Sequence, residues 1–514
     1  MRYLLVRLIA AISLTPVLIV APAMPSYASP AVKSVPDQIK AASSGKYRKF
    51  YKARGYLPIW ARKGTIGPEA DSFIALLLDS GRDGLDPNDY APDQLKQAID
   101  RARGGEPGEL GRAELKLSKA FFAYVRDIRI SRSGVADEIV YADRKLAPPK
   151  RLNPADVLVP LAIAPSLSTY LDTMSWMNPL YVDLRIAMGE FHQRWDALPP
   201  VTILPGAVLK PGAVGDRVRQ LRNRLGLPAS VRFDKAVSTK LKLFQADHGL
   251  RSTGIADEET LAALNLGSAT YEAKMQLNLE RARLLPPASV KHLVVNIASA
   301  RLWMIDGKLS YADSMRVIVG APDEKTPLMA GMVSYAVLNP YWNVPTDLVQ
   351  KRVAKRVLSG QSFTSLRYEA LSDWSAHATV IPPESIDWHA VADGRRELRV
   401  RMLPGGENFM GDVKFMLPND LGIYLHDFPD KTLFGGADRH LSSGCVRLED
   451  AARLGRWLFG RTLAPTSSTP EQFVSLPAPV PIFMTYLTVV PDKAGIAFLD
   501  DPYGEDKREL YAAR

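Results

Sequence analysis

The stretch "HLVVNIASARLWMIDGKLSYADSMRVIVG", residues 292–320, changes the period of the chain. Before it, apolar residues recur at helical spacing. Within it they alternate, valine, isoleucine and aromatics dominate, and Asp306-Gly307 supplies a hairpin turn. The same pattern continues in "MVSYAVLNPYWNVP" (332–345), "DVKFMLP" (412–418), "GIYLHDF" (422–428), "PIFMTYLTVV" (481–490) and "GIAFLD" (495–500). This predicts a mostly β domain over 291–505. A less regular segment at about 346–400, opening "TDLVQKRVAKRVLSGQ", interrupts it, and long insertions between strands often act as lids or binding loops.

Upstream the chain reads as helical. Residues 29–200 hold "FYKARGYLPIWARKG", the apolar helix "SFIALLLDSGR" and longer helices such as "ELKLSKAFFAYVRDIRI". The loop "DGLDPNDY" (83–90) is acidic but lacks the spacing and distal glutamate of an EF-hand, so it reads as a helix-terminating turn. Residues 201–268 predict three short helices, with Val218, Leu221 and Leu225 on one face and Val237, Leu241 and Phe244 on another. His248, before Gly249, reads as a C-terminal cap. Residues 269–290 read as a linker helix and 506–514 as a tail. The fold class expected is therefore multidomain α+β, with a helical N-terminal domain, a three-helix module and a mostly β domain carrying an insertion.

The basic start "MRYLLVR", the apolar run to Met24 and the small residues Ser26 and Ala28 form a signal peptide over 1–28 in its three parts. An uncleaved single membrane tether is the alternative, because the run is near the lower length for spanning a bilayer. A net charge of +10 over 514 residues favours an acidic partner in general terms. No nucleic-acid recognition motif is present, and an anionic polymer of the cell envelope fits better.

"RHLSSGCVRLED" (439–450) contains Cys445, the one cysteine of the chain. In an exported protein an unpaired thiol is either a small buried core residue or a reactive group. A reactive thiol needs a base or a positive field. None of the seven histidines follows Cys445, which excludes the papain-like order. His426, ending the strand "GIYLH", is the candidate base, with His440 as its rival. Asp427 would orient the His426 ring by side chain or carbonyl. Gly444 lets backbone approach a substrate, so amides near Gly444 and Cys445 would suit an oxyanion. Arg447 would lower the thiol pKa, hold a carboxylate, or form a structural salt bridge.

These residues resemble the catalytic signature of the L,D-transpeptidases: a histidine after a strand, then Ser443-Gly444-Cys445-Val446-Arg447. "RVIVGAPDEKTPLM", "NPYWNVP" and "LPGGENFMGDVKFMLPN" look like the large Gram-negative branch of that family. Residues 201–268 resemble a peptidoglycan-binding module, and "RGYLPIW" with "DGLDPNDY" resembles the branch's scaffold domain. The resemblance implies Cys445 as the acylated nucleophile and His426 as general base, with Tyr424, Ser443, Gly444 and Arg447 lining the site. It implies a capping subdomain at 346–400, no metal or cofactor, a periplasmic location, peptidoglycan as partner, a part in cell-wall biogenesis and cell shape, and inhibition by carbapenems. Where the branch often has Thr this chain has Phe428, and where it often has Gln it has Met402. The implied reaction is 3→3 cross-linking through a thioester. The same acyl-enzyme would serve an L,D-carboxypeptidase or attach an outer-membrane protein, and a non-catalytic wall-binding scaffold is the reading of another class.

Overall fold

The computed structural model describes residues 34–130, 134–148, 151–174, 176–195, 198–308, 311–492 and 495–512. The signal segment expected at 1–28 lies outside them. The helical part comprises α1 (Val35–Ala42), α2 (Gly45–Ala53), α3 (Glu69–Leu78), α4 (Pro92–Ala102), α5 (Pro107–Arg129), α6 (Pro154–Ile163), α7 (Leu167–Asp172) and α8 (Pro179–Trp195). Glu114, buried in α5, organises the "RGYLPIW" turn. Its carboxylate accepts the amides of Ile59 (2.8 Å), Trp60 (2.8 Å) and Ala61 (3.0 Å) and the Tyr51 hydroxyl (2.6 Å). Four donors compensate the burial of one charge. In the acidic loop, Asp83 accepts from Arg185 Nε (2.8 Å), Tyr124 (3.1 Å) and Tyr181, and Gly84 turns the chain at φ 64°. That carboxylate is already satisfied, in keeping with a turn.

The module follows as α9 (Asp216–Arg224), α10 (Lys235–Asp247) and α11 (Glu258–Leu266), with Val218, Leu221, Val237, Leu241 and Phe244 all buried. Next comes α12 (Ser268–Arg283), whose Met275, Leu279 and Ala282 are buried and whose Asn278 side-chain oxygen accepts the Thr488 amide at 2.7 Å. The segment expected as a linker is thus packed between neighbours.

The strands are β1 (Val140–Tyr141), β2 (Lys291–Asn296), β3 (Arg301–Asp306), β4 (Tyr311–Gly320), β5 (Met329–Leu338), β6 (Trp342–Val344), β7 (Tyr368–Leu371), β8 (Val380–Ile381), β9 (Arg399–Met402), β10 (Val413–Met416), β11 (Leu425–His426), β12 (His440–Ser442), β13 (Val446–Leu448), β14 (Gln472–Thr485), β15 (Val489–Asp492) and β16 (Gly495–Phe498). Ten of them form one sheet, ordered β1-β5-β10-β11-β13-β4-β3-β2-β14 with β12 beside β4. Because β14 also pairs with β5, the path closes on itself and leaves few free edges. Pro477 and Pro479, which cannot donate to a ladder, fall where β14 breaks register with β5 between Ser475 and Val480. Inside lie Leu293, Val295, Met315, Phe415, Leu425 and Val446, while Val294, Ile305, Ala330 and Phe483 face the helices.

The insertion is more regular than its composition suggests. Strands β6, β9, β7 and β8 form a second sheet with its own core, including Val349, Val353, Tyr368, Trp388 and Val400. This sheet uses Trp342–Val344 and Met402, so the cap begins and ends slightly outside 346–400. Met402 packs in that core.

"GIAFLD" does not extend the large sheet. Among the described residues strands β15 and β16 pair only with each other, and they dock on α8 and α10, where Phe498 meets Phe191, Tyr271 and His248. His248 is the C-cap residue of α10. Its Nδ1 lies 2.7 Å from the Phe244 carbonyl and its ring stacks on Phe244 at 3.8 Å. Nor are the residues from 506 a loose tail, since a helix spans Glu505–Ala512 and Asp506 binds Arg281 at 2.5 Å.

Burial holds His248 down to about 3 and His292 and His426 to about 4. In the unfolded chain they titrate near 6.5. The native state then binds fewer protons between pH 6.5 and 4, so its stability falls as pH drops through that window. Each histidine contributes a slope of about 1.4 kcal/mol per pH unit at full effect. Urea denaturation at pH 7, 6 and 5 should show steep loss; a flat profile would contradict neutral burial.

Candidate active site

Strand pairing gathers the motif. β11 and β13 run parallel with Leu425 opposite Val446 and His426 opposite Arg447. Leu425 and Val446 point into the core, fully buried. Side chains alternate along a strand, so Tyr424, His426, Cys445 and Arg447 all emerge on the other face. They line one cavity of about 710 Å³, roofed by the cap through Trp342, Leu348 and Arg352 among others.

The His426 Nδ1 lies 2.6 Å from the Asp427 carbonyl. Donation there leaves the lone pair of the neutral ring on Nε2. Burial, with the Arg447 charge as a smaller cause, lowers its pKa to about 4, opposed by hydrogen bonding to Asp427 and Phe409 backbone that favours the protonated ring. Of the two atoms of Asp427 considered, the carbonyl is the one beside the His426 ring. Its carboxylate binds Lys431 (2.6 Å) and the Asp412 amide (3.1 Å) and lines a different cavity.

Burial pushes the Cys445 thiol up, against the pull of the Tyr424 amide, the Arg447 charge and the Tyr424 hydroxyl. Sγ also makes a long contact, 3.7 Å, with the Gly422 carbonyl. The resting pair is therefore thiol and neutral imidazole. Tyr424 is itself raised, by burial and then by the thiolate beside it. Arg447 stacks on Phe428 at 4.4 Å, and among the described residues no carboxylate pairs with it. The structural salt bridge weighed above is absent there, and Phe428, where the branch often has Thr, serves as its platform.

Gly444 has φ 102°, a conformation that favours glycine, and its carbonyl accepts from Thr326 Oγ1 at 2.7 Å. Among the described residues the amides of Gly444 and Cys445 meet no protein acceptor. Ser443 is exposed at the cavity rim, whereas Ser442 is buried and donates to the Cys445 carbonyl at 2.6 Å. His440 lies outside the cavity lining, with Nδ1 2.8 Å from Asp438 and Nε2 3.0 Å from the Ile297 carbonyl.

Sequence reasoning missed the brace beneath this loop. Thr326 Oγ1 accepts the Gly320 amide (2.8 Å), the Thr326 amide donates to the Tyr503 hydroxyl (3.1 Å), and that hydroxyl donates to the Gly320 carbonyl (2.6 Å). Only alternation could have pointed to Ser442; nothing local marks Thr326 or Tyr503. Thr326→Val should lower kcat/KM about 10- to 100-fold, since a buried carbonyl and amide lose their partner, while Thr326→Ser should restore most of it. Equal rates for Val and wild type would show the brace to be dispensable.

A closed sheet thus brings a cysteine and a histidine from adjacent strands to one cavity beneath a cap. Residues 290–467 match the L,D-transpeptidase catalytic domain, 45–188 the scaffold domain, and 215–264 a candidate peptidoglycan-binding domain. The chain carries these three domains in that arrangement. A Haemophilus influenzae protein named as a candidate L,D-transpeptidase is 33% identical over 244 residues, 46% of this chain and 48% of that protein. The chain thus matches about half the length of that relative. Solved structures include an L,D-transpeptidase from Mycobacterium smegmatis (11% identity, 38% of this chain, 58% of that one, TM-score 0.20) and one from Xylanimonas cellulosilytica (14%, 55%, 100%, TM-score 0.17). At those scores neither likeness bears weight.

Proposed function

We propose that this protein is a peptidoglycan L,D-transpeptidase that forms 3→3 cross-links outside the cytoplasm. The observation that carries the reading is the emergence of Cys445 and His426 from adjacent strands on one sheet face into one capped cavity. His426 Nε2 takes the thiol proton as Sγ attacks the carbonyl after the third residue of a tetrapeptide stem. The amides of Gly444 and Cys445 receive the oxyanion. Collapse breaks the amide bond, His426 returns the proton to the leaving amine, and D-alanine departs. The amine of a neighbouring stem then attacks the thioester, forms the new amide and releases the thiol.

Incubating the purified protein with tetrapeptide muropeptides and weighing the products tests this. A dimer lacking one D-alanine is expected. Tripeptide alone would make the acyl-enzyme a carboxypeptidase, stem joined to protein would make it an anchoring enzyme, and unchanged substrate would leave a binding scaffold. The matched module would hold the wall. Leu204, which precedes the matched residues and is exposed at a cavity of about 430 Å³ that Glu258, Leu261 and Ala262 of the module also line, is a candidate contact. Leu204→Glu should weaken sedimentation with sacculi several-fold without slowing reaction on a soluble donor, because a separate site raises local concentration only. Unchanged sedimentation would move wall binding elsewhere. Among the described residues no helix is long and apolar enough to cross a membrane.

A further inference from the structure

The cap brings charge to the site that the motif does not account for. Its leading helical segment runs from Thr346 to Leu358 and is wound as a π-helix over Val349–Ala354, a rare geometry frequent at functional sites. Leu348, Val349, Val353 and Ala354 pack into the cap's core, which leaves Lys351, Arg352, Lys355 and Arg356 lining the cavity over Cys445. Lys351 has a local partner in Asp347 at 3.3 Å, and Arg356 Nε donates to Gln361 at 2.7 Å. Among the described residues Arg352 pairs with no carboxylate, and neither does Arg447.

The charged groups that act on Arg447 are the Cys445 thiolate and Arg352. Two guanidiniums within reach of each other repel, and an anion between them removes the repulsion while offering each a bidentate partner. The cavity's acids, Asp323 and Glu324, belong to the β4–β5 loop and do not act on Arg447. Arg447 is already oriented by Phe428, so little side-chain freedom is lost on binding.

Distance selects which anion. Cys445 immediately precedes β13, which holds Arg447, so at the strand rise of about 3.3 Å per residue the two are separated by about 6.6 Å or less. In the donor, three bonds of about 1.3 to 1.5 Å join the attacked carbonyl carbon to the terminal carboxylate carbon, a span of about 4 Å. With Sγ at the carbonyl, that carboxylate falls within hydrogen-bonding reach of a long Arg447 side chain. We propose that Arg352 of the cap and Arg447 of the floor jointly seat the free C-terminal carboxylate of the donor stem, which makes the cap a selector for donors ending in an ionised carboxylate; this rests on the transpeptidase reading above.

The test compares a tetrapeptide muropeptide with its C-terminal carboxamide as donors for the full-length protein. The wild type should prefer the carboxylate at least ten-fold in kcat/KM. Arg352→Gln should bring that ratio near one, chiefly through KM, and Arg352→Lys should recover part of it. Equal use of both donors by the wild type, or equal loss on both in Arg352→Gln, overturns the proposal. Titration of the tetrapeptide muropeptide into Cys445→Ala protein, with and without Arg352→Gln, gives a reading independent of turnover. About ten-fold weaker binding in the double variant is expected, and equal affinity overturns the seat. Turnover of neither donor, with that binding difference intact, would instead sink the transpeptidase reading alone.

Discussion

Incubated with a carbapenem, the wild-type protein should gain one whole drug mass while Cys445→Ala gains none. The strained lactam carbonyl is an electrophile for Cys445 Sγ. Its C–N bond opens, the ring nitrogen takes a proton, and nothing leaves, so the full mass stays on sulfur. The adduct persists where the cap over the roughly 710 Å³ cavity limits water and no acceptor amine is present. On muropeptides the same variant should lose at least about 10⁴-fold in rate, the scale seen when a nucleophile is removed. Folding should survive, since the thiol's described contacts are few and replacement by Ala leaves the backbone brace from Thr326 and Ser442 in place. An adduct of equal yield on both proteins would place acylation on other groups. Turnover near wild type in the alanine variant would move the nucleophile elsewhere.

His426→Ala should cost about 10² to 10⁴ in kcat/KM, the usual worth of a positioned base. His440→Ala should cost less than about three-fold, the ordinary latitude for a residue outside the site, because its ring is tied to Asp438 and Ile297 away from the cavity lining. Reversal of that ranking would overturn the choice of base. The pH profile adds a sign. A base works unprotonated, and burial holds His426 at about 4. Activity should therefore stay level from pH 8 down to 6 and fall only near 4, rather than halving near the 6.5 of a free imidazole. An acid limb near 6.5 would mean that the ring is solvated in the working enzyme.

Why some of this could be read from the chain and some could not follows from how side chains are placed. Tyr424, His426, Cys445 and Arg447 are spaced two apart on two strands, so alternation alone puts each pair on one face. Cys445 and His426 are also only nineteen residues apart, which a single returning loop can span. The same alternation explains the choice between neighbouring serines: Ser443 is exposed at the rim and Ser442 is buried with its hydroxyl on the Cys445 carbonyl. Thr326, Tyr503 and Arg352 reach the site across 118, 59 and 93 residues from Gly444, Gly444 and Cys445 respectively, and no local pattern carries such a contact. Docking of β15 and β16 onto α8 and α10 was hidden for the same reason. Their alternation predicts strands but not which surface those strands will cover. The cap's sheet was obscured because its strands are as short as two residues.

The sheet beside Cys445 closes through β14, and Tyr503 braces Gly320 and Thr326 beneath the Gly444 loop. Both come after Cys445 in the chain. A polypeptide is made from its N-terminus, so Cys445 is synthesised before the parts that complete its setting. During that interval β2 and β5 lack their β14 neighbour and the Gly320 carbonyl lacks its donor. Completion of the cavity is thereby tied to time: the helical domains are made first, Cys445 follows, and the loop around it is finished only when the last strands arrive.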